Sequence, residues 1–359
     1  MSLTILLTGG GTAGHAIPNI ALIQHLKESS GSKLLYVGSK LGIEKSLIQT
    51  TGIPYYAIST AKLRRHLSWR NLLIPGQLLL GVVQSLVICC RHKPQIVFSK
   101  GGFVACPVVI AAWLCRVPIV IHESDLTPGL SNRLSIPFAR LVCITFPITR
   151  TYIAHKKEVV LTGLPIRNSL SEGNAAAGLT WLGFKETHPV LLIWGGSLGA
   201  VTLNESVRRL VPALVQSFQI VHLCGQGKTH PDFSQLVGYR QFEYLDAPLA
   251  NVIACADLVV SRAGATAIYE LLMLKKPHIL CPLSKKVSRG DQIHNAQYLE
   301  SLGLSQAIYP EDFNDTVLLE KITDCYQNLD SLKKRLAAAH WVNGTALICQ
   351  QLSRLGKGS

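Results

Sequence analysis

TILLTGGGTAGH, residues 4–15, decides the architecture. A short, continuous apolar run ends in three glycines and leads into residues 17–27, which have helical spacing. Apolar runs without alternation suit parallel strands covered on both faces. Glycines let backbone amides approach an anion, and a following helix adds partial positive charge at its N-terminus. The stretch therefore reads as strand, anion-binding turn, helix.

Outward from it the same unit recurs. KLLYVG (33–38), QIVFS (95–99), PIVIH (118–122) and RLVCIT (140–145) read as further strands, each leading to polar or glycine residues and a helical stretch. After TGLP (162–165) the scheme repeats. PVLLIW (189–194), QIVHLC (219–224), DLVVS (257–261) and PHILC (277–281) read as strands, and 204–218, 266–274 and 292–302 as helices. Repeated βα units imply doubly wound parallel sheets. A length of 359 residues favours two domains over one. Two Rossmann-like domains are thus expected, joined near 162–165, with ligands beyond the carboxyl ends of the strands in an interdomain cleft.

Composition narrows the partners. Apolar residues make up 48%, enough for large cores and against global disorder. The net charge of +14 is uneven: residues 1–164 carry 17 Lys+Arg against 5 Asp+Glu, the rest 18 against 16. A basic half suits nucleic acid, an anionic membrane or a phosphorylated substrate. Nucleic-acid binding favours aromatics among the basic residues, and only Trp69 qualifies, so no nucleic acid is expected. The ten cysteines form no CxxC and no zinc spacing, as expected of reduced core thiols in a cytoplasm. The apolar run at 3–7 is too short for a secretory leader. Residues 71–90 carry no charge and are long enough to span a bilayer, but Pro75, Gly76, Gln77, Gly81, Gln84 and Ser85 favour a buried or surface-lying helix. Lys62, Arg64, Arg65 and Arg70 precede this run and suggest docking on an anionic leaflet.

Three further turns carry chemistry. WGGSLG (194–199) again joins strand to helix. SRAGATAIYE (261–270) sets Gly264 and Thr266 at a helix start, with Glu270 about one turn on, where a carboxylate can take two sugar hydroxyls or simply serve the helix dipole. SRGDQIHN (288–295) offers side chains to a sugar, or a cap with Asp291 near the N-cap. Gly9, Gly11 and Gly14 formally match the dinucleotide pattern, but strand two ends VGSK without the carboxylate a ribose wants; Lys40 keeps an NADP-dependent oxidoreductase open. His15, whose imidazole titrates nearest neutrality, suits a general base or an acceptor-orienting group, with Glu123 and Asp125 as competing bases.

GGGTAGH (9–15), SKGGFVACPVVIAA (99–112), IHESDLTPGLSN (121–132), TGLPIR (162–167), GGSLGA (195–200), SRAGATAIYE (261–270) and RGDQIHNA (289–296) together span essentially the whole chain. In that order they resemble the MurG family of UDP-N-acetylglucosamine:undecaprenyl-diphospho-muramoylpentapeptide N-acetylglucosaminyltransferases. The resemblance implies a GT-B fold: an acceptor- and membrane-binding domain at 1–164, a helix near 342–359 packing back on it, and a UDP-GlcNAc-binding domain at 165–341. It implies inverting transfer of GlcNAc from UDP-GlcNAc to the 4-hydroxyl of MurNAc in lipid I (undecaprenyl-diphospho-MurNAc-pentapeptide), giving lipid II and UDP. No cofactor and no metal are implied. Arg167 and Ser197 would contact the diphosphate or nucleotide, and the Leu245 backbone would read uracil. Ala265, Thr266 and Glu270 would surround diphosphate and ribose, while Asp291 and Gln292 would contact the sugar. Thr12, Ala13 and Gly14 would form a donor-contact loop that also faces the acceptor. The implied setting is peripheral, on the cytoplasmic face of the inner membrane, beside a cell-wall synthesis complex. A same-fold transferase with another lipid acceptor, such as diacylglycerol, is the alternative. Departures from the family pattern fall at Ala13, at Asp125, where many members carry an amide, and at Leu164; they bear on substrate contacts at 125 and 164.

Overall fold

The computed structural model describes residues 3–29, 31–60, 74–196, 200–233 and 236–358. Ser197 and the basic residues at 62, 64, 65 and 70 lie outside the described residues. The chain divides into two compact units, Met1–Arg167 with Val342–Ser359, and Asn168–Trp341.

The N-terminal unit carries β1 (Thr4–Thr8), α1 (Ala13–Ser29), β2 (Lys33–Ser39), α2 (Ile43–Gln49), β3 (Tyr55–Ile58), α3 (Ile74–His92), β4 (Ile96–Ser99), α4 (Ala105–Leu114), β5 (Ile119–Glu123), α5 (Leu130–Ser135), β6 (Leu141–Ile144) and β7 (Glu158–Leu161). Its seven strands pair in parallel in the order β3-β2-β1-β4-β5-β6-β7. The order reverses direction between β1 and β4, the switch point where open α/β sheets bind ligands.

Pleating explains the apolar run at 4–8. Ile5 and Leu7 enter one layer with Leu22, Ile23 and Leu26 of α1, while Leu6 enters the other with Val97, Val108 and Val109. Each such aliphatic, fully buried, contributes about 1.5–3 kcal/mol.

The uncharged run is α3, described from Ile74. It is long and apolar enough to cross a membrane by length and composition, with a mean hydropathy of 1.5. It nevertheless covers the sheet: a Cβ at Gly81 would come 2.3 Å from the Ser59 carbonyl and 3.2 Å from Pro107 in α4, and the Gln84 side chain accepts from Ser59 N at 2.6 Å. Only glycine permits that approach. One face of α3 stays in solvent.

The C-terminal unit carries α6 (Ala175–Leu182), β8 (Val190–Trp194), α7 (Val201–Leu214), β9 (Gln219–Leu223), β10 (Tyr239–Phe242), α8 (Leu249–Cys255), β11 (Leu258–Ser261), α9 (Ala265–Met273), β12 (His278–Leu280), α10 (Asp291–Ser301), β13 (Gln306–Ala307), α11 (Asp315–Gln327) and α12 (Leu329–Ala338). Its six strands are parallel in the order β10-β9-β8-β11-β12-β13, with the switch point between β8 and β11. Leu192, Val221 and Val259 pack there with Val252, Ile253 and Leu271. The last helix, α13 (Gly344–Lys357), belongs to the N-terminal unit, where Ile348, Cys349 and Leu352 complete the layer under α1. Its Asn343 cap accepts from Thr345 N and Ile166 N.

One detail differs from the sequence reading, while Asp291 lies next to the N-cap of its helix as expected. The first helix begins at Ala13, not 17, so the glycine turn is short and His15 sits in the helix's first turn. The N-cap of α10 is Gly290, in the left-handed region at φ 86°, with no side-chain cap bond; Asp291 is the first helical residue and pairs with Arg289 at 3.6 Å.

Candidate active site

At the first switch point two glycine turns interlock. Gly10 N donates to Gly101 O at 3.3 Å, and Lys100 N donates to Thr8 O at 2.9 Å. A Cβ at Gly102, whose φ is +83°, would sit 2.0 Å from Gly10 O and 3.1 Å from His15 Cδ2. One at Gly11 would meet the Phe103 ring at 2.5 Å. Beneath the turn, Tyr36 OH donates to Gly9 O at 2.6 Å and accepts from Asn19 Nδ2 at 3.0 Å. Burial drives the Tyr36 phenol pKa far up, so it stays a neutral donor. The glycines here serve close backbone packing.

The turn's anion site is occupied by the protein itself. Glu44, wholly buried in the first turn of α2, accepts from Gly11 N at 3.1 Å and from Ser39 N at 3.0 Å. A Cβ at Gly10 would touch its carboxyl carbon at 2.6 Å. A dinucleotide diphosphate would need the Gly11 amide and would meet a carboxylate there. The NADP reading fails on this point, and the exposed Lys40 does not restore it. The missing carboxylate of strand two is therefore present, five residues beyond Ser39, and turned onto the glycine loop.

His15 lies half-buried above Gly102, and Thr12 is exposed at the helix start, followed by the buried Ala13 and half-buried Gly14. The HESD segment ends β5 on the same edge. Glu123 Oε1 accepts from Asp125 N at 3.0 Å, and Oε2 accepts from Gly129 N at 3.0 Å and Asn132 Nδ2 at 2.8 Å. With both oxygens engaged, Glu123 shapes the turn. Burial, then the neighbouring Asp125, raise its pKa. Asp125 is half-buried, its carbonyl accepting from Thr149 Oγ1 at 3.4 Å. His122 Nε2 donates to Gly163 O at 2.9 Å; burial holds that imidazole neutral, well below its ordinary pKa.

The C-terminal unit offers a different turn at its own switch point. Among the described residues, a Cβ at Gly264 would find only Gln292 Nε2, at 3.8 Å, and one at Gly196 nothing within 4 Å. The turn is held from behind: Asn295 Nδ2 donates to Ala263 O at 3.1 Å, Arg262 Nη1 to Cys281 O at 3.0 Å, and Leu283 N to Gln292 Oε1 at 3.1 Å. These bonds bring Gly264, Ala265, Thr266 and Gln292 together at the N-terminus of α9, while Glu270 is buried further along it at 2% exposure. Leu245 is buried in the same unit's core, which fixes its backbone. Arg167 ends the first of the two segments that make up the N-terminal unit and is half-buried.

Two tandem doubly wound sheets, one with an open turn at a helix N-terminus, offer an anionic ligand backbone amides and the positive end of a helix dipole at a switch point. Residues 5–144 match the glycosyltransferase family 28 N-terminal domain, and residues 190–352 its C-terminal domain. The chain is 51% identical over 327 residues to a UDP-N-acetylglucosamine--N-acetylmuramyl-(pentapeptide) pyrophosphoryl-undecaprenol N-acetylglucosamine transferase of Lachnoclostridium phytofermentans, covering 91% of this chain and 92% of that one. A protein of the same name from Legionella pneumophila (strain Paris) is 47% identical over 338 residues, covering 94% and 93%. The crystal structure of Acinetobacter baumannii MurG superposes with a TM-score of 0.75 at 25% identity, covering 99% of this chain and 100% of that one. A kitacinnamycin glycosyltransferase shares the fold at a TM-score of 0.73 and 15% identity, covering 99% of each. The chain belongs to the family of UDP-N-acetylglucosamine--N-acetylmuramyl-(pentapeptide) pyrophosphoryl-undecaprenol N-acetylglucosamine transferases.

Proposed function

We propose that this enzyme transfers GlcNAc, with inversion, from UDP-GlcNAc to the 4-hydroxyl of MurNAc in lipid I, giving lipid II and UDP. Family membership over nearly the whole chain carries the proposal, and the free space at the turn at 261–270 supports a donor grip there.

In the transfer the acceptor oxygen bonds to C1 of GlcNAc as the bond from C1 to the UDP oxygen breaks, its electron pair leaving with UDP. Negative charge grows on that diphosphate. The N-terminus of α9, with the amides of Gly264 to Thr266, suits it electrostatically. Glu270 takes the ribose hydroxyls, Arg167 and Ser197 the diphosphate, the Leu245 backbone the uracil, and Gln292 with Asp291 the sugar. The acceptor proton passes to His15, with Asp125 beside the acceptor and Thr12, Ala13 and Gly14 lining the approach.

Docking on the cytoplasmic leaflet is part of the same reading. Leu79, Leu80, Val83 and Val87 expose one face of α3, and Trp113 and Leu114 are about half exposed at the end of α4. An apolar helix face preceded in sequence by Lys62, Arg64, Arg65 and Arg70 suits an interfacial lipid surface. High salt or alkaline carbonate should release the protein from membranes; retention through both would make α3 a span.

The decisive assay incubates purified protein with labelled UDP-GlcNAc and a lipid I analogue. The disaccharide lipid is expected, and its absence with folded protein overturns the reading. His15→Ala should lower turnover by about 10²–10⁴-fold while UDP binding persists.

A further inference from the structure

The carboxylate that closes the first glycine turn also holds that turn in place. Glu44 stands in the first turn of α2 with no exposed surface. A carboxylate in the interior is costly unless its hydrogen bonds are met. Here they are met at both oxygens. Oε1 accepts from Ser39 N at 3.0 Å and from Ser39 Oγ at 2.5 Å, and Oε2 accepts from Gly11 N at 3.1 Å. A backbone N–H faces each oxygen, so a side-chain amide in its place would turn its NH2 onto one of those donors. Its neighbours leave it room: a Cβ at Gly10 would come 2.6 Å from its carboxyl carbon, and one at Gly42 would come 2.1 Å from Oε2.

Through these bonds Glu44 ties the end of β2 to the turn after β1. Two tyrosines brace the tie. Tyr55 OH donates to Ser39 O at 2.6 Å, Tyr36 OH donates to Gly9 O at 2.6 Å, and the two rings stack with centroids 5.8 Å apart. Adjacent peptides of the turn are then fixed by different partners, Gly10 N by Gly101 O and Gly11 N by Glu44. From Gly11 the path to His15 is short. His15 N donates to Thr12 O at 3.2 Å, and the His15 ring lies where an added Cβ at Gly102 would come 3.1 Å from Cδ2.

We propose that Glu44 is a positioning residue for the transfer: its carboxylate sets the Gly11 peptide, and with it the helix start that presents His15 to the acceptor. The inference rests on the transferase reading above, with His15 as the group that takes the acceptor proton.

The test is steady-state kinetics on the full chain for wild type, Glu44→Gln, His15→Ala and the two together, with thermal midpoints measured alongside. Glu44→Gln should lower kcat about tenfold or more while the KM for UDP-GlcNAc stays within about twofold, because a misplaced catalytic group costs rate rather than donor binding. In the His15→Ala background it should cost less than about twofold further, since the group it positions is gone. A lowered midpoint with unchanged kcat, losses that multiply in the pair, or full activity in His15→Ala overturn the role. If Glu44→Gln does not fold, Ser39→Ala decides by removing one hydroxyl from the same carboxylate: a lower kcat at unchanged UDP-GlcNAc KM supports the role, and wild-type kcat overturns it. Wild-type protein that binds UDP but transfers nothing overturns the transferase reading and the role with it, and only in that case is the wild type itself inactive.

Discussion

The turn after β1 and the turn after β11 both run from strand through glycine to helix, yet one is packed shut and the other is open. Around Gly10, Gly11 and Gly102 every added Cβ strikes protein, and Glu44 holds the Gly11 amide. Around Gly264 an added Cβ finds one atom at 3.8 Å. Glycine in a strand-to-helix turn thus marks close approach, but the approaching group differs: the protein's own backbone and carboxylate in the first turn, room for a ligand in the second. The best formal dinucleotide fingerprint in the chain is a turn whose Gly11 amide the protein's own carboxylate already holds.

The comparison can be broken at both ends. The largest effect belongs to Gly102→Ala, which forces a β-carbon onto a carbonyl at a φ that favours glycine. It should cost more than the roughly 1–3 kcal/mol of backbone strain alone, read in chemical denaturation. Gly264→Ala, with φ −74° and free space, should change stability by no more than about 0.5 kcal/mol. Equal losses would mean that the two turns do not differ as described.

Next comes the donor grip. Glu270→Ala should weaken UDP binding about ten- to a hundredfold, matching the 1.5–3 kcal/mol typical of hydrogen bonds to a charged group. Glu44→Gln should instead destabilise folding by about 1–3 kcal/mol, because it weakens the acceptor for Gly11 N and Ser39 N.

The smallest effect lies away from both turns and serves as a control. Asp315 accepts from Arg209 and Ser206, which hold its carboxyl down to about 2. A depressed carboxylate stabilises the fold above its unfolded pKa near 3.8, and the benefit is lost as pH falls through about 2. Asp315→Asn should therefore flatten the loss of stability between about pH 4 and 2 without altering UDP binding. Its exposed position beside Arg209 keeps the effect small.

Much of this was legible in sequence, and the failures have physical causes. The central strands were readable because both faces are buried, which leaves runs such as VLLIW unbroken. The edge strands YYAI, EVVL and YRQF were not, since partial exposure admits polar residues and shortens the apolar signal. Glu44 escaped because its role depends on α2 turning back over the loop, which no spacing in VGSKLGIE announces. The one available sign was the run of small residues around it: a Cβ at Gly42 would meet its Oε2 at 2.1 Å. The open turn at 261–270 was readable from its glycine and the following helix, whereas Gln292 reaches Gly264 only through the fold.

The most direct test of the division between the two turns is a calorimetric titration of UDP into wild-type protein, Glu270→Ala and Glu44→Gln. The account predicts saturable binding to wild type, a loss of about tenfold or more in Glu270→Ala, and unchanged affinity in folded Glu44→Gln. Full affinity in Glu270→Ala together with lost affinity in Glu44→Gln would place the donor on the first turn and contradict it.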